Sequence, residues 1–277
     1  MTALTGLRIG HLERRHPADH QGSVSAAIVY RLRGLGAAVD VVHAELELHR
    51  VDAAPPWDVV LLKSGTASAL HVAAAAEAHG AASLNSSDAT RITRDKLAAT
   101  SILRRGGLPV PRAHMATLGP AGIEPAALDR LQGGPWVVKS ARGFGGDGLW
   151  FEPELSLGEL AAKLPHGAYL LMEHVEHEGD DLKVFVAGSW MSAIRRPFPA
   201  NDLAAKLGRP AAIPGGVAAC VRRVGELLGL SFFGCDLVEG RDGWALVDVN
   251  AFPGYKGAPD AAAAVVIEIA RLAGARS

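Results

Sequence analysis

The chain has 277 residues, 49 % of them hydrophobic and 21 % charged, with a formal net charge of −1. That length suits two or three subdomains around a cleft better than one compact core, and the balanced charge argues against bulk binding of nucleic acid or an acidic membrane. Only Cys220 and Cys235 are present, too few for a disulfide framework. No basic leader with an apolar core precedes Leu7, and the Ala-rich run 72–78 is too short to span a bilayer and carries Glu77. A soluble cytoplasmic protein is expected.

The first part alternates in the manner of a Rossmann-like half. Residues 7–10 read as a short strand, 23–35 as a helix, 38–43 as a second strand, and 58–62 as the continuous apolar strand of a parallel sheet covered on both faces. A helix over 65–80, a strand over 82–84 and one long helix over 88–106, closed by Gly106 and Gly107, follow. Pro109 and Pro111 break the chain, which puts a boundary between about residues 88 and 112. Beyond it, 136–139, 149–152, 169–173, 182–186 and 191–195 read as strands and 157–164 as a helix, in short lengths that suggest antiparallel sheets. Residues 210–228 are mostly helix, 232–238 and 245–249 form a hairpin, and 261–272 is an Ala-rich closing helix. The fold class is α/β, becoming α+β in the C-terminal part.

Three separated stretches carry chemistry. Lys139 ends an apolar strand and is followed by Ser140-Ala141-Arg142-Gly143-Phe144-Gly145-Gly146-Asp147-Gly148. No Gly-Lys-Ser/Thr follows, so this is not a P-loop. Strand, glycine loop and strand instead make a flap whose backbone N–H groups can lie over phosphate oxygens; taken alone, an ordinary flexible hairpin reads equally well. The second stretch, Met172-Glu173-His174-Val175, is a strand end suited to an adenine.

In the third, Val247-Asp248-Val249-Asn250, the two polar residues stand two apart on a strand and point to one face. Asp236, on the preceding strand, joins them only if the hairpin register allows. A three-residue loop of Arg241-Asp242-Gly243 sets Asp236 opposite Asp248, whereas a two-residue loop turns it to the wrong face. Two carboxylates and a carboxamide are hard oxygen ligands suited to Mg²⁺; the alternative is a solvated acidic face, although apolar flanks make burial without a cation costly. Together the three stretches read as an ATP site.

The ordered set Asp95-Lys96-Leu97-Ala98, Val138-Lys139 with its glycine loop, Met172-Glu173-His174-Val175, Asp181-Leu182-Lys183-Val184-Phe185-Val186, Cys235-Asp236 and Asp248-Val249-Asn250-Ala251-Phe252-Pro253-Gly254 resembles the ATP-grasp superfamily. Within it the likeness is greatest to RimK-type glutamate ligases, from about residue 58 to the C-terminus. The resemblance implies a Rossmann-like pre-ATP-grasp domain over 1–93 and an ATP-grasp domain over 94–277, with a flap-bearing part over about 110–172 and a metal-bearing part over 173–277. It implies ATP with one or two Mg²⁺ ions, or Mn²⁺ in their place.

Carried over by position, Lys96 and Lys139 hold the nucleotide phosphates under a flap containing Gly143, Gly145 and Gly146. Glu173, His174 and Val175 form the adenine hinge, Asp181 is the ribose ligand, Lys183 a further nucleotide-site residue, and Asp236, Asp248 and Asn250 the metal ligands. Arg196 joins Lys139 in catalysis by steadying the transferred phosphoryl group. Asp248 departs from the glutamate usual in those ligases, and Lys183 from their arginine. Both departures resemble the inositol polyphosphate kinases of the same fold.

The implied activity is amide or peptide-bond formation through an acylphosphate, on amino-acid-like or peptide carboxylates and amines. The alternative is a small-molecule kinase that passes the γ-phosphate to a hydroxyl. A non-catalytic ATP-binding module fits less well, because it needs no metal cluster beside Lys139 and Arg196. Candidate substrate contacts are Lys63, at the carboxyl end of a parallel strand where α/β sheets bind ligands, and Arg15, within a cation set that also holds His11, Arg14, His16 and His20. No nucleic-acid or membrane partner is expected, and a homo-oligomer is compatible with the sequence.

Overall fold

The computed structural model describes residues 4–15, 23–50, 52–142, 148–197 and 202–274. Strands β1 (Arg8–Leu12), β2 (Ala38–Val42), β3 (Val59–Leu62) and β4 (Ala82–Leu84) form a parallel sheet in the order β2-β1-β3-β4. Every residue of β3 is buried, as its unbroken apolar run requires. Val59 and Leu61 pack towards α1 (Ser25–Gly34), while Val60 and Leu62 pack towards α2 (Ala67–Ala78).

The long helix expected over 88–106 is two helices, α3 (Ser87–Arg94) and α4 (Lys96–Arg105). Asp95 between them is extended, with φ −83° and ψ 98°, and its carboxylate accepts the N–H groups of Leu97 and Ala98, each at 3.0 Å. An N-capping carboxylate therefore ends one helix and starts the next. Arg94 closes α3 and Lys96 opens α4.

A second sheet, order β5-β8-β6-β7, contains β5 (Ala113–Leu118), β6 (Trp136–Ser140), β7 (Leu149–Trp150) and β8 (Gly167–Glu173), all antiparallel. Helices α5 (Pro125–Leu128) and α6 (Leu157–Lys163) cover it around Leu118, Val138 and Leu171. The sequence reading missed β5, whose Ala, His and Thr residues give it little apolar signal.

The third sheet runs β11-β10-β9-β12-β13 and is antiparallel throughout. Its strands are β9 (Asp180–Ala187), β10 (Trp190–Pro197), β11 (Arg209–Ala211), β12 (Phe232–Gly240) and β13 (Gly243–Ala251). A short α7 (Leu203–Leu207) precedes β11, and α8 (Gly215–Leu228) buries Val217, Val221, Val224 and Leu228 in the core under the sheet. The helix expected from 210 starts five residues later because Arg209–Ala211 pairs with β10.

The β12–β13 hairpin corrects the expected register in an informative way. Gly240 pairs with Gly243, so the turn has two residues, Arg241 and Asp242, and Gly243 takes φ +106°. That turn alone would misplace Asp236. A β-bulge intervenes: Leu237 pairs with Leu246 but Asp236 pairs with Asp248, and Val247 is left out of the ladder. The expected partners meet through a bulge, not through a longer turn.

The last helix, α9 (Ala261–Gly274), returns to the first sheet, and its Val265 and Ile269 share one core with Ile28 and Leu32 of α1. No helix among the described residues is long and apolar enough to cross a membrane. Asn85, just past β4 and almost fully buried, clasps the first sheet to the third. Its Nδ2 donates to the Phe232 carbonyl at 2.6 Å, and its Oδ1 accepts the N–H groups of Ser231 and Phe232 at 2.8 and 2.9 Å. Asn85→Ala leaves two backbone N–H groups without their acceptor, and urea unfolding should show a loss of about 3 kcal/mol. A loss under about 1 kcal/mol would mean that apolar packing, not this clasp, joins the sheets.

Candidate active site

One face of the third sheet gathers the charged residues. Asp248 of β13, Asp236 of β12 and Lys183 of β9 are successive cross-strand neighbours, and Asp181, two residues from Lys183, lies opposite Arg196 of β10. The Lys183 ammonium donates to Asp236 Oδ1. Lys96 reaches in from the start of α4 to Asp248 Oδ1 at 2.7 Å. The remaining oxygens turn towards Asn250, whose Nδ2 lies 3.2 Å from Asp248 Oδ2 and 3.5 Å from Asp236 Oδ2. The three expected metal ligands thus converge, each carboxylate with one oxygen on a lysine and one beside Asn250.

Among the described residues no three His, Cys, Asp or Glu side chains gather as a metal centre. Two carboxylates and a carboxamide nevertheless fit Mg²⁺, which takes its other ligands from water and substrate phosphates. Rotating the Asn250 amide would turn its oxygen into the space that its nitrogen now occupies between the two Oδ2 atoms.

Lys139 is 5 % exposed and donates to the Val247 carbonyl at 2.6 Å, with Met172 Sδ at 3.6 Å. The bulge residue thus gives the lysine a carbonyl. Burial lowers the Lys139 pKa, with Lys96 adding to the fall and Asp248 and Asp236 opposing it. Burial also acts to raise Asp248, but Lys96 and Lys139, joined by Lys183, outweigh it and hold the carboxyl at about 2. Lys96, Lys139, Met172, Leu246 and Asp248 line one cleft between β8, α4 and β13.

Arg196 grips Asp181 as a fork, with Nε–Oδ1 and Nη2–Oδ2 both 2.8 Å, and approaches Asp236 Oδ1 at 3.5 Å. Burial and the neighbouring Asp236 push Asp181 upward against this fork, while Asp181 and Asp236 hold the guanidinium pKa up despite its own burial. The fork geometry keeps the pair ionic. Asp181, expected at the ribose, is only 3 % exposed and its carboxylate is occupied by this fork. Lys183 likewise stands on Asp236.

At the expected hinge, the Glu173 N–H donates to the Arg112 carbonyl and the His174 N–H to the Pro135 carbonyl, both at 2.8 Å. The Val175 N–H has no partner among the described residues. Phe151 stacks on the His174 ring at 4.2 Å and 15°. Burial and His177 lower the His174 pKa against the pull of Glu176. Gly143, Gly145 and Gly146 lie outside the described residues, as do His16 and His20. The flap base is tied to α4 where the Lys96 N–H donates to the Ala141 carbonyl at 3.0 Å.

Lys63 lines a neighbouring cleft with Lys96 and Asn250. Arg15 is exposed beyond β1. The sequence reading assigned no role to Arg94, which also lines this cleft; its place beside Asp95 and Lys96 was the available signal, hidden by the assumption of one continuous helix.

No protein-family model matches the chain. Its sequence is 28 % identical over 221 residues to the "Probable alpha-L-glutamate ligase 1" of Shewanella denitrificans, covering 73 % of this chain and 72 % of that one. Its fold is similar to the RimK domain protein ATP-grasp from Sphaerobacter thermophilus, with a TM-score of 0.68 at 20 % identity over 95 % of this chain and 98 % of that one. It is also similar to the ATP-grasp ligase PsnB complexed with precursor peptide PsnA2 and AMPPNP, with a TM-score of 0.66 at 20 % identity, covering 99 % and 98 %. PsnB has also been solved with minimal precursor, Mg and ADP.

The three-sheet architecture is therefore an ATP-grasp fold. By sequence the chain is similar to alpha-L-glutamate ligases and by fold to ATP-grasp ligases and a RimK domain protein, likenesses that support an ATP-dependent carboxylate–amine ligase.

The buried lysine yields a pH prediction. Because the folded pKa of Lys139 is lowered from 10.5, the unfolded chain binds more protons between the two values and stability from this group rises with pH there. Below that window its burial as a cation opposes folding. Lys139→Met should raise the urea midpoint at neutral pH and remove the alkaline rise while weakening ATP binding at least about tenfold. Identical pH profiles for the two proteins would contradict the cost assigned to this buried charge.

Proposed function

We propose that the enzyme joins an amino-acid or peptide carboxylate to an amine through an acylphosphate, and that Lys96, Lys139 and Arg196 carry the phosphoryl chemistry. The observation behind this reading is their convergence with Asp236, Asp248 and Asn250 around one sheet face and cleft. Adenine sits at the 173–175 hinge, where the Val175 N–H provides a donor. As the phosphates enter, Lys96 exchanges Asp248 for phosphate oxygen, one anion for another. Mg²⁺, held by Asp236, Asp248 and Asn250, would neutralise charge on the phosphates.

A substrate carboxylate oxygen then attacks the γ-phosphorus and the bond to the leaving ADP oxygen breaks. The amine nitrogen attacks the resulting acyl carbon, inorganic phosphate leaves and the nitrogen loses its proton. Arg196, fixed by Asp181, is placed to stabilise negative charge on the moving phosphoryl group. No side-chain nucleophile is required. The alpha-L-glutamate ligase name of the sequence relative and the precursor peptide bound by PsnB support amino-acid or peptide substrates. The kinase reading draws on Asp248 and Lys183 together with Lys183-Val184-Phe185-Val186, Arg196-Pro197 and the stretch 248–255.

Product analysis separates the two. With ATP, Mg²⁺ and a panel of amino acids, peptides and inositol phosphates, ADP, free phosphate and a condensed product lighter by one water are expected. An acceptor heavier by one phosphoryl group, without free phosphate, would replace the ligase by a kinase. Asp248→Asn preserves the side-chain shape but removes the charge, and should lower kcat at least about 1000-fold while leaving metal-free nucleotide binding within a few-fold. Retention of normal turnover would sink the metal assignment.

A further inference from the structure

The second sheet ends in a strand whose outer side is open. β5 stands at the edge of the order β5-β8-β6-β7, and its pairing with β8 turns the backbone groups of Arg112, His114, Ala116 and Leu118 inward; the Glu173 N–H donates to the Arg112 carbonyl. Ala113, Met115 and Thr117 turn theirs outward. Neither the N–H nor the C=O of Ala113 and Met115 has a partner among the described residues, whereas the Thr117 carbonyl accepts the Ile123 N–H at 2.8 Å. Sheet edges are commonly protected by ionised side chains, proline or a bulge. Residues 113–118 contain no Lys, Arg, Asp, Glu or Pro and pair with β8 without a break in register, and Met115 is 71 % exposed.

The two ends of this open stretch decide what fits it. Two residues before Ala113 stands Pro111, which has no N–H and whose carbonyl accepts Arg104 Nη1 at 2.7 Å. A strand added here must therefore bring, opposite Pro111, a residue whose own carbonyl needs no donor. Thr117 of a second copy is such a residue, because Ile123 already serves it. With two copies antiparallel about a two-fold axis at His114, Ala113 of each faces Met115 of the other, and Pro111 faces Thr117. Ala113 and Met115 then exchange both backbone bonds, which makes four across the axis. The Thr117 N–H meets the Pro111 carbonyl, which keeps a second lone pair. Neighbouring registers fail: an axis at Ala113 leaves the Met115 carbonyl facing proline, and an axis at Met115 aims the Ala113 N–H at the carbonyl that Ile123 occupies.

We infer that two copies of the chain associate through β5 in this register, joining their second sheets into one sheet of eight strands about a two-fold axis. The contact is isologous, the same patch on both copies. Exposed Met115 lies at its centre, and Ile123, 45 % exposed beside Thr117, is carried towards Pro111 of the second copy. An extended peptide makes the same central bonds, but it places an unserved carbonyl opposite Pro111, which a second copy does not. The patch is narrow, so the dimer dissociates on dilution.

Sedimentation equilibrium of the full chain over a concentration series should give a mass that rises from one chain to two and no further. Met115→Pro removes an N–H that no bond within the monomer uses, at an edge position where proline is tolerated. It deletes two of the four central bonds and should raise the dissociation constant at least about tenfold, while the melting curve of dilute protein stays unchanged. Cross-linking reads the register independently of that variant. With Cys220→Ser as background, which leaves only the buried Cys235, His114→Cys faces itself across the axis in a non-hydrogen-bonded pair, the closer of the two antiparallel kinds. Mild oxidation should convert it to a covalent dimer, and Met115→Cys, which faces Ala113, should remain uncoupled. A dimer that Met115→Pro leaves unweakened, or coupling at position 115 in preference to 114, would overturn the inference. A chain that stays monomeric throughout would overturn it too and leave the edge to a peptide strand.

Discussion

Charge pairing across the face of the third sheet is the constraint around which the site is organised. Asp181, Asp236 and Asp248 are held by Arg196, Lys183 and Lys96, with Lys139 buried beside them. Withdrawing so many charges from water carries a large desolvation cost, which close pairing offsets only when every member has a partner. Antiparallel pairing provides those partners at fixed spacing, so the β-sheet register acts as the ruler of the active site. Two of the cations, Lys96 and Lys139, come from outside this sheet and depend on how α4 and the second sheet are docked. Under the proposed function their charges, which lie beside protein carboxylates here, pass to the phosphates of the nucleotide.

The bulge at Val247 links the register to the chemistry. A two-residue turn closes the hairpin tightly, and one residue must then leave the ladder for Asp236 and Asp248 to come side by side. The residue that leaves offers its carbonyl to Lys139. Beyond the bulge the chain turns sharply, with Phe252 and Tyr255 at φ +40° and +51°, a conformation uncommon for aromatic residues. Both are fully or almost fully buried, and the Tyr255 hydroxyl donates to the Val186 carbonyl at 2.7 Å. Deep packing offsets that backbone strain and fixes the strand end that carries Asn250.

Much of this organisation was legible in the sequence because its signals are local. The apolar run of β3, the strand before Lys139 and the two-residue spacing of Asp248 and Asn250 each follow from a short periodicity. What escaped depends on three-dimensional competition. Asp95 looks like a helix-interior residue until its carboxylate is seen capping α4, and with that break Arg94 acquires a position that the sequence reading did not assign. The bulge was illegible because Val247 is as good a ladder residue as its neighbours; only the demand that two carboxylates meet selects it for exclusion. The partner of Asp181 escaped for a related reason, since its place in a motif does not disclose that Arg196 lies opposite it across the strand pair.

The lysine at 183 has a physical logic in this geometry. Asp236 serves Lys183 through Oδ1 and faces Asn250 through Oδ2, while Asp248 serves Lys96 and Asn250 in the same divided way. A point-like ammonium takes one oxygen of its carboxylate, whereas a guanidinium tends to take both in a fork, as Arg196 does at Asp181. Arginine at 183 would therefore compete for the oxygen that now faces Asn250. The shorter aspartate at 248 works in the same direction, because a side chain with less reach stays within the span that Lys96 and Asn250 define. The two departures from the ligase pattern thus act together on the oxygens that face Asn250, and if Asp236, Asp248 and Asn250 hold a cation as proposed, they adjust one site without requiring a change from ligase to kinase chemistry.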